Sequence, residues 1–308
     1  MRPMTLKIYH DTGMTKMTKI LLEDENRYHM PSLFEGKMLY CKAPLQDQYF
    51  ETHGGWALSE TEKRTAYRPY QIWVCDLDEI NEDTENHKRL DIVDYEGDVF
   101  CSPHAYRRPD GNIEMTYIRI SALGKSQTKP TNNMYKVVLN NDFEPISNPQ
   151  RVVDCLVQDC YCGVENSRFR ATASPIISKP LIYIYDKYKG LQYKLNVGMV
   201  SMINRISTVY DQDYKLIFTV PTNKVTENRA VYEHYQYDLE TFKIEKIVLN
   251  NRNPYKMSLN RYGLMVFSED YSTENEYKMR IGMGYPRFEQ TTIQCRITNE
   301  IKRCYQWA

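Results

Sequence analysis

The sequence lacks net charge, long apolar segments and helical periodicity. Lys plus Arg number 40 and Asp plus Glu number 40 in 308 residues, so the basic excess typical of nucleic-acid-binding proteins and membrane-surface helices is missing. No apolar segment approaches the length of about 20 residues that spans a bilayer. None near the start has the length of a secretory signal. These absences favour a cytoplasmic protein without nucleic-acid or membrane partners.

Three common binding or catalytic motifs are also missing. The stretch GMGYP (282–286) is rich in glycine but does not connect a strand to a helix, as a phosphate-binding loop does. No Gly-x-Ser-x-Gly nucleophile motif occurs, and no two histidines have the helical spacing of a metal site. The sequence therefore predicts neither a metal nor an organic cofactor.

The eight cysteines predict free thiols rather than a disulfide framework, because the chain is long and has no secretory signal. Cys155, Cys160 and Cys162 fall within eight positions and raise structural zinc as an alternative. No second pair with metal-site spacing follows, since Cys295 and Cys304 stand apart.

Tyrosine is abundant, at 26 residues. It suits half-buried strands and also forms surfaces on which sugars stack. Alanine is scarce, whereas asparagine, lysine and isoleucine are plentiful, a bias typical of AT-rich viral or phage genomes. The composition favours a β-rich chain and leaves its chemistry open.

Residues 99–117 predict a β-hairpin. The stretch contains Ser102-Pro103-His104, turns at Pro109–Asn112 and continues with alternating apolar residues. Units with the same order, a polar start, a turn and an apolar strand, recur at 28–44, 163–186, 205–220 and 254–270. The five units are followed by further strand signals at 70–80, 133–146, 191–203, 231–247 and 277–288.

Five such units predict an all-β, five-bladed β-propeller in a single domain spanning 1–308. In this fold the first strand of each blade lines a central channel. A β-sandwich, which also contains many short strands, is the alternative. The segment 46–68 is expected to be a long loop or lid.

The order of the motifs resembles the five-bladed β-mannoside phosphorylases and hydrolases of glycoside hydrolase family 130. MPSLFEGKMLYCKAP (30–44) is similar to the first-blade motif, with Met30 in the place of an asparagine. CSPHAYRRPDGNIEMTY (101–117) is similar to the second-blade motif, with Cys101, Ser102, Pro103 and His104 on the places of Glu-Asp-Pro-Arg. VENSRF (164–169) keeps a glutamate and a phenylalanine of the third-blade motif, and VYEHYQYDLETFKIEKI (231–247) looks like a later blade.

The resemblance implies a carbohydrate-active site in the channel, with inorganic phosphate as the co-substrate of a phosphorylase and no other cofactor. In the family, the place of Ser102 holds the carboxylic acid and the place of His104 holds an arginine that binds phosphate and sugar. A serine hydroxyl cannot protonate a leaving oxygen, because its pKa lies far above neutral. Glu165 is the predicted catalytic replacement, and Asp98 and Glu96 are the second candidates.

Further residues are predicted to bind the substrate: Arg27, His29, Ser102, His104, Asn166, Arg168 and Arg205, at or beside the starts of first strands, and Tyr232 and His234, in the later strand segment 231–247. We expect most of them to converge with Glu165 on one pocket, where cations keep the glutamate ionised. The structural alternatives are that Ser102 only shapes a strand, that Glu165 pairs with Arg168 or Arg205, and that His234 packs in a strand.

Three functions remain open at this point. The first is glycoside hydrolysis or phosphorolysis, the second is binding of a carbohydrate-containing ligand without catalysis, and the third is a protein-interaction propeller. Loss of the family's acid favours the second and third, whereas the many polar residues at strand starts favour the first and second. We therefore predict a glycan-related function, with enzymatic activity undecided and no oligomeric state indicated.

Overall fold

The computed structural model describes residues 19–22, 27–43, 71–77, 87–92, 99–120, 132–152, 163–173, 181–198, 200, 203, 205–226, 229–249, 252–270 and 279–298. These residues form strands, turns and bends, and no helix occurs among them. The described part of the chain accordingly has no helix of the kind that spans a membrane. The predicted all-β class is confirmed for this part.

Strand β1 (Lys19–Leu22) joins a sheet that forms from the end of the chain. Sheet 1 consists of β2 (Arg27–Phe34), β3 (Lys37–Ala43), β4 (Gln71–Asp76) and β5 (Lys88–Arg89). Sheet 2 consists of β6 (Val99–Arg107), β7 (Ile113–Ile120), β8 (Asn132–Leu139) and β9 (Gln150–Arg151). All neighbours within these two sheets are antiparallel.

Sheet 3 consists of β10 (Gly163–Glu165), β11 (Phe169–Ala173), β12 (Leu181–Asp186), β13 (Leu191–Val197) and β22 (Cys295–Thr298). A nine-stranded sheet contains two antiparallel arms. Arm 4 consists of β14 (Arg205–Tyr210), β15 (Gln212–Thr226), β16 (Arg229–Asp238), β17 (Ile244–Val248) and β21 (Arg287–Gln290). Arm 5 consists of β18 (Pro254–Asn260), β19 (Met265–Asp270), β20 (Met279–Gly284) and β1.

The first strands of these five units contact one another in a closed circuit. Strand β2 contacts β6, β6 contacts β10, β10 contacts β14, β14 contacts β18, and β18 contacts β2. The contact between β14 and β18 includes two parallel residue pairs, Val209 with Leu259 and Tyr210 with Asn260, which unite the two arms into one sheet. We call the end where the first strands begin the leading end, and the end where they turn into the second strands the turn end.

Strands from the two extremes of the described chain complete sheets made by other segments. Strand β1 pairs with β20 and thereby supplies the outer edge of arm 5. Strand β21 pairs with β17 at the edge of arm 4, and β22 then pairs with β13 at the edge of sheet 3. The segment 287–298 therefore straps arm 4 to sheet 3 across their outer edges.

Four clusters of buried apolar side chains each join two neighbouring units. They lie between sheets 1 and 2, between sheet 3 and arm 4, between sheet 1 and arm 5, and between the two arms. Members from the two units, in that order, are Leu39 and Met115, Ile184 and Phe218, Met38 and Ile281, and Ile217 and Phe267. Within the described residues no such cluster joins sheet 2 to sheet 3, where charged and hydroxyl groups meet instead.

The glycine-rich stretch 282–286 has a packing role rather than a phosphate-binding one. Gly282 lies opposite Phe267 in the pairing of β19 with β20. A Cβ atom built on Gly282 would stand 2.5 Å from the Cζ atom of the Phe267 ring, which is fully buried. Glycine is needed here because the ring occupies the space of a side chain.

Four of the five predicted hairpins are confirmed, at 28–44, 99–117, 205–220 and 254–270. The unit at 163–186 is corrected: its second strand is β11, and the strand through Tyr185 is the third. The pairings of β1, β21 and β22 were not predicted, because nothing in a short apolar segment identifies a distant partner strand. The expected lid at 46–68 and the triplet Cys155, Cys160 and Cys162 lie outside the described residues.

The four cysteines in the described part of the chain, Cys41, Cys75, Cys101 and Cys295, are free thiols. Burial is the largest factor that raises the pKa of Cys75 and of Cys295 to about 12. Because the thiolate is the reactive form, these groups are poor nucleophiles at neutral pH.

We expect the native protein to react slowly with a thiol reagent at pH 8, and the unfolded, unreduced protein to titrate with close to the eight thiols of its sequence. The physical reason is burial of protonated thiols together with the absence of disulfides among the described cysteines. Colorimetric thiol counting before and after denaturation makes the measurement. A count of two or fewer in the unfolded protein would contradict the prediction.

Candidate functional site

The first strands of sheets 1 and 2 each contain a β-bulge. In β2 the pairing with β3 shifts between His29 and Ser32, and in β6 the pairing with β7 shifts between Cys101 and His104. A bulge bends its strand and re-aims the side chains around it. The motif that recurs in the sequence at these two places is therefore a bulge motif.

In both bulges a residue with a positive φ angle is followed by proline. Met30 and Ser102 both have φ of 54°, in the left-handed region that non-glycine residues seldom adopt. Pro31 and Pro103 follow them and need no backbone hydrogen-bond partner, which suits a bulge. Strained residues of this kind persist where surrounding contacts hold them and often lie at functional sites.

The two bulges contact each other and form what we call the bulge cluster, Met30, Ser32, Ser102 and His104. The backbone N–H of Ser102 donates to Met30 Sδ at 3.2 Å, and Ser32 Oγ lies 3.3 Å from His104 Nδ1. Burial, and then the ammonium of Lys256, hold the pKa of His104 well below its usual range. The other ring nitrogen, Nε2, has no hydrogen-bond partner in the described part of the chain. A neutral imidazole is thus buried at the junction of sheets 1 and 2.

Arm 4 and arm 5 meet at the leading end through an arginine and two tyrosines. The Arg205 guanidinium donates to the Tyr255 hydroxyl at 2.6 Å and lies 4.8 Å from the centre of that ring. Tyr232 packs edge-on against Tyr255, with ring centres 5.1 Å apart. Thr219, which pairs with Arg205 across the strands, lies 2.9 Å from His234 Nδ1. Burial is the largest factor that lowers the pKa of His234 to about 4.

The turn end of sheet 3 carries a different group of polar side chains. Glu165 is the last residue of β10, and its side chain is only 3% exposed. Arg170 Nε donates to Glu165 at 2.6 Å and Lys187 Nζ donates at 3.1 Å. Lys187 also donates to the Asn166 carbonyl and lies 3.5 Å from the Tyr106 hydroxyl of sheet 2. Burial alone would raise the pKa of Glu165, but Arg170 and Lys187 hold it below its ordinary value.

A second buried carboxylate continues this network into sheet 2. The Tyr106 hydroxyl donates to Glu114 at 2.6 Å, and Arg108 donates to the other carboxylate oxygen at 3.0 Å. Lys136 stands 3.8 Å from Glu114. We call the network of Tyr106, Glu114, Glu165, Arg170 and Lys187 the polar seam. It occupies the interface where no apolar cluster was found among the described residues.

Asn166 and Arg168 have structural contacts in the turn that follows β10. Asn166 Oδ1 accepts hydrogen bonds from the backbone N–H of Arg168 at 3.0 Å and of Phe169 at 2.9 Å, which fixes the turn. Arg168 donates to Asp186 at 3.3 Å and to Glu240 of arm 4 at 2.9 Å. Arg168 therefore ties sheet 3 to arm 4.

The structure distributes the predicted site residues over three groups. These are Ser102 with His104, then Arg205 with Tyr232 and His234, and finally Glu165 with Asn166 and Arg168. The second group lies at the leading end, where Arg205 begins β14, and Ser102 and His104 lie at the bulge in the middle of β6. The third group lies at the turn end, because β10 has only three residues and Glu165 already precedes the turn. This corrects the expected position of the third group. The side chains of Arg27 and His29 lie outside the described residues.

Sequence reasoning missed the partners of Glu165. Arg170 and Lys187 form its ion pairs, whereas the structural alternative named Arg168 or Arg205. Alternation in FRATA (169–173) places Arg170 on the side of the strand opposite Ala171, which is a usable signal for Arg170. Lys187 follows an apolar strand as an ordinary turn lysine, and nothing in the sequence marks it. Among the described residues, no group of His, Cys, Asp and Glu is arranged to hold a metal ion.

Comparisons with known proteins give structural similarity only. No protein-family model matches the chain, and no curated protein matches it. TolB from Acinetobacter baumannii is similar with a TM-score of 0.43 and 15% identity, over 89% of this chain and 57% of that chain. The β-propeller domain of the Trilobed protease from Pyrococcus furiosus has a TM-score of 0.33 and 11% identity, over 91% and 83%. An α-L-arabinanase from Penicillium chrysogenum, complexed with arabinobiose, has a TM-score of 0.34 and 16% identity, over 71% and 59%.

These similarities have a limited meaning. The similar structures include a β-propeller domain and a glycan-degrading enzyme, but their sequence identities are 11% and 16%. The chain spans 57% of the length of the TolB chain that it matches.

Proposed function

We propose that the chain is a single five-bladed β-propeller, whose blades are sheets 1 to 3 and arms 4 and 5, and that it binds a carbohydrate-class ligand at the leading end of the channel without cleaving it. The closed circuit of contacts among the five first strands supports the blade count. The relation to the β-mannoside phosphorylases and hydrolases, indicated by the order of the motifs, is part of the proposal, as is a cytoplasmic location.

One observation carries the choice of binding over cleavage. The five first strands read RYHMPSLF, VFCSPHAYR, GVE, RISTVY and PYKMSLN, and Glu165 is the single carboxylate among them. Glycoside cleavage normally uses two carboxyl groups on either side of the bond, one of them protonated as the acid. Glu165 is ionised, lies at the turn end and is engaged by two cations. The leading end thus has no carboxyl group on its first strands.

The groups at the leading end and at the two bulges further along the channel suit a polyhydroxylated ligand. Sugar hydroxyls both donate and accept hydrogen bonds, and the bulge cluster offers a neutral imidazole and two serine hydroxyls. The guanidinium of Arg205 supplies donors for a hydroxyl or a phosphate oxygen. Tyr232 and Tyr255 are only partly buried and supply aromatic surface against which the C–H face of a sugar ring packs.

A second candidate, glycoside hydrolysis or phosphorolysis with Glu165 as the catalytic group, has one observation in its favour. Glu165 is buried and ionised, as a catalytic base must be, and cations that suit phosphate surround it. In this case inorganic phosphate would be the co-substrate. The buried polar groups of the channel do not favour the third candidate, a protein-interaction propeller.

We expect calorimetry against a panel of mono- and disaccharides, with and without phosphate, to give a binder without release of reducing sugar. Arg205→Gln is expected to weaken that binder by roughly tenfold or more, since a charged hydrogen bond is lost. Arg261→Gln is the matched control, because Arg261 is an exposed arginine at the turn end. Its affinity is expected to be unchanged.

Two results would contradict the proposal. Release of sugar that disappears in Glu165→Gln, with the fold intact, would establish the hydrolase or phosphorylase reading. Absence of binding to every sugar in the panel would leave the protein-interaction reading.

A further inference from the structure

A cavity of about 320 Å³ lies outside the channel, between sheet 3 and arm 4. Its lining comes from β12, β13 and β22 on one side and from the end of β16 and the turn after it on the other. The lining residues are Asp186, Lys189, Tyr193, Tyr237, Leu239, Phe242, Cys295 and Ile297. The volume is within the range of small-molecule sites, and a mostly apolar lining with a few polar groups is typical of them.

Two tyrosines in the lining have unused hydroxyl groups. Tyr237 is only 1% exposed, and neither Tyr237 nor Tyr193 makes a side-chain hydrogen bond within the described part of the chain. Both residues line the same cavity, Tyr237 from arm 4 and Tyr193 from sheet 3, so a ligand bound there can accept a hydrogen bond from a tyrosine hydroxyl.

The two charged lining residues differ in how far they are already engaged. One oxygen of Asp186 accepts the backbone N–H groups of Tyr188 and Lys189 at 3.1 and 3.2 Å, and the other accepts Arg168 at 3.3 Å. Lys189 is exposed, and its ammonium makes no ion pair with the described residues. The charge available to a ligand at this cavity is therefore positive.

The walls of the cavity are held in place by contacts of their own. Arg168 bridges Asp186 and Glu240 and so fixes the turn of sheet 3 against the turn of arm 4. Phe242 is 59% exposed and has φ of 58°, and the turn that contains it is closed by the hydrogen bond from its backbone N–H to the Asp238 carbonyl at 2.8 Å. Strand β22 closes the far side through Cys295 and Ile297. The site is formed before any ligand arrives, which lowers the entropic cost of binding.

We propose that this cavity binds a small carboxylate that carries an aromatic or branched apolar body. The apolar body packs against Leu239, Phe242 and Ile297, and the carboxylate accepts hydrogen bonds from the Lys189 ammonium and a tyrosine hydroxyl. The site is independent of the ligand proposed for the channel, because it is built from the outer strands and lies at the turn end.

Ligand-observed NMR compares three compounds that share a phenylpropyl group and differ in the charge of the end group. They are 3-phenylpropionate, 3-phenylpropylamine and 3-phenylpropanol. We expect the carboxylate to bind at least roughly tenfold more tightly than the amine, with the alcohol between them. Lys189→Gln is expected to weaken the carboxylate by about tenfold and leave the alcohol unchanged. Lys243→Gln removes the same charge from an exposed neighbour that does not line the cavity, and it is expected to change nothing.

Occupancy is tested separately from charge. Leu239→Trp fills the cavity and is expected to abolish binding of all three compounds. If that variant does not fold, Tyr237→Phe replaces it, because it removes one hydrogen-bond donor from the lining without adding volume. Arg205→Gln is expected to leave these affinities unchanged, which separates this site from the channel. Three results would overturn the proposal. The acid and the amine bind with equal affinity, the acid binds Lys189→Gln as tightly as the native protein, or none of the compounds binds at about 10 mM, a concentration at which even millimolar sites fill.

Discussion

Replacing Glu165 with glutamine is expected to lower the free energy of unfolding at pH 7 by about 3 kcal/mol, because removal of one member of a buried ion pair leaves its partners uncompensated. Here two cations lose their counter-charge at once, since Arg170 and Lys187 both contact Glu165. The loss falls at the polar seam, where no apolar cluster was found in the described residues to hold sheets 2 and 3 together. Urea unfolding monitored by fluorescence measures the difference.

The pH dependence of that difference has a definite sign. The pKa of Glu165 is lower in the folded protein than in the unfolded chain, so its stabilisation is complete above the unfolded pKa and is lost as pH falls through the folded pKa. The gap between the native protein and Glu165→Gln is therefore expected to shrink below about pH 4.5. Asp110→Asn, which removes an exposed partner of Arg108, is the matched control and is expected to have little effect. A gap that stays constant from pH 7 to pH 3.5 would show that packing, and not charge, is what the substitution changes.

Acid is expected to destabilise the protein well above the pKa of its carboxylates, through its buried histidines. His234 has a folded pKa of about 4, whereas the unfolded residue titrates near 6.5. Between these values the unfolded chain binds the extra proton, so the free energy of unfolding falls as pH drops from about 6.5 to 4. The total loss from His234 is on the order of 3 kcal/mol.

The variant His234→Gln separates this effect from other titrations. An amide can still hydrogen-bond Thr219 but takes up no proton in this range. Its free energy of unfolding is therefore expected to fall less steeply between pH 6.5 and 4.5 than that of the native protein. A residual slope remains from His104, whose pKa is also lowered by burial. Equal slopes for the variant and the native protein would rule out His234 as the source of acid sensitivity.

The sequence pattern predicted most of the hairpins, but it did not predict which distant strands pair with each other. The hairpins at 99–117 and 254–270 follow from alternation around a turn, which is a property of neighbouring residues. The unit at 163–186 was misread because FRATA is short and contains arginine, so the strand β11 has no continuous apolar signal. Strands β21 and β22 have partners set by the rest of the ring, and a four-residue strand does not specify its partner by its own pattern.

In the candidate site, too, the sequence predicted local features and did not predict contacts between distant segments. The recurring Pro-containing motif drew attention to Ser102, and the structure shows a β-bulge there with Ser102 in the left-handed region. Glu165 was expected at the leading end because its motif was matched to a strand start, but the strand is only three residues long. Its partners Arg170 and Lys187 come from strand β11 and from the turn after β12 of the same sheet, and no sequence pattern marks Lys187.

The edge strands supplied from far along the chain set an order on folding during synthesis. Among the described strands β1 is synthesised first, yet its partner strand in arm 5 includes Met283, so β1 cannot pair until nearly all the other described strands have been made. Sheet 3 likewise shows the bare edge of β13 until Cys295 and the residues after it arrive. Exposed edges of this kind recruit other strands and promote aggregation. A ribosome-bound chain that stops short of residue 295 is therefore the form of this protein most in need of a chaperone.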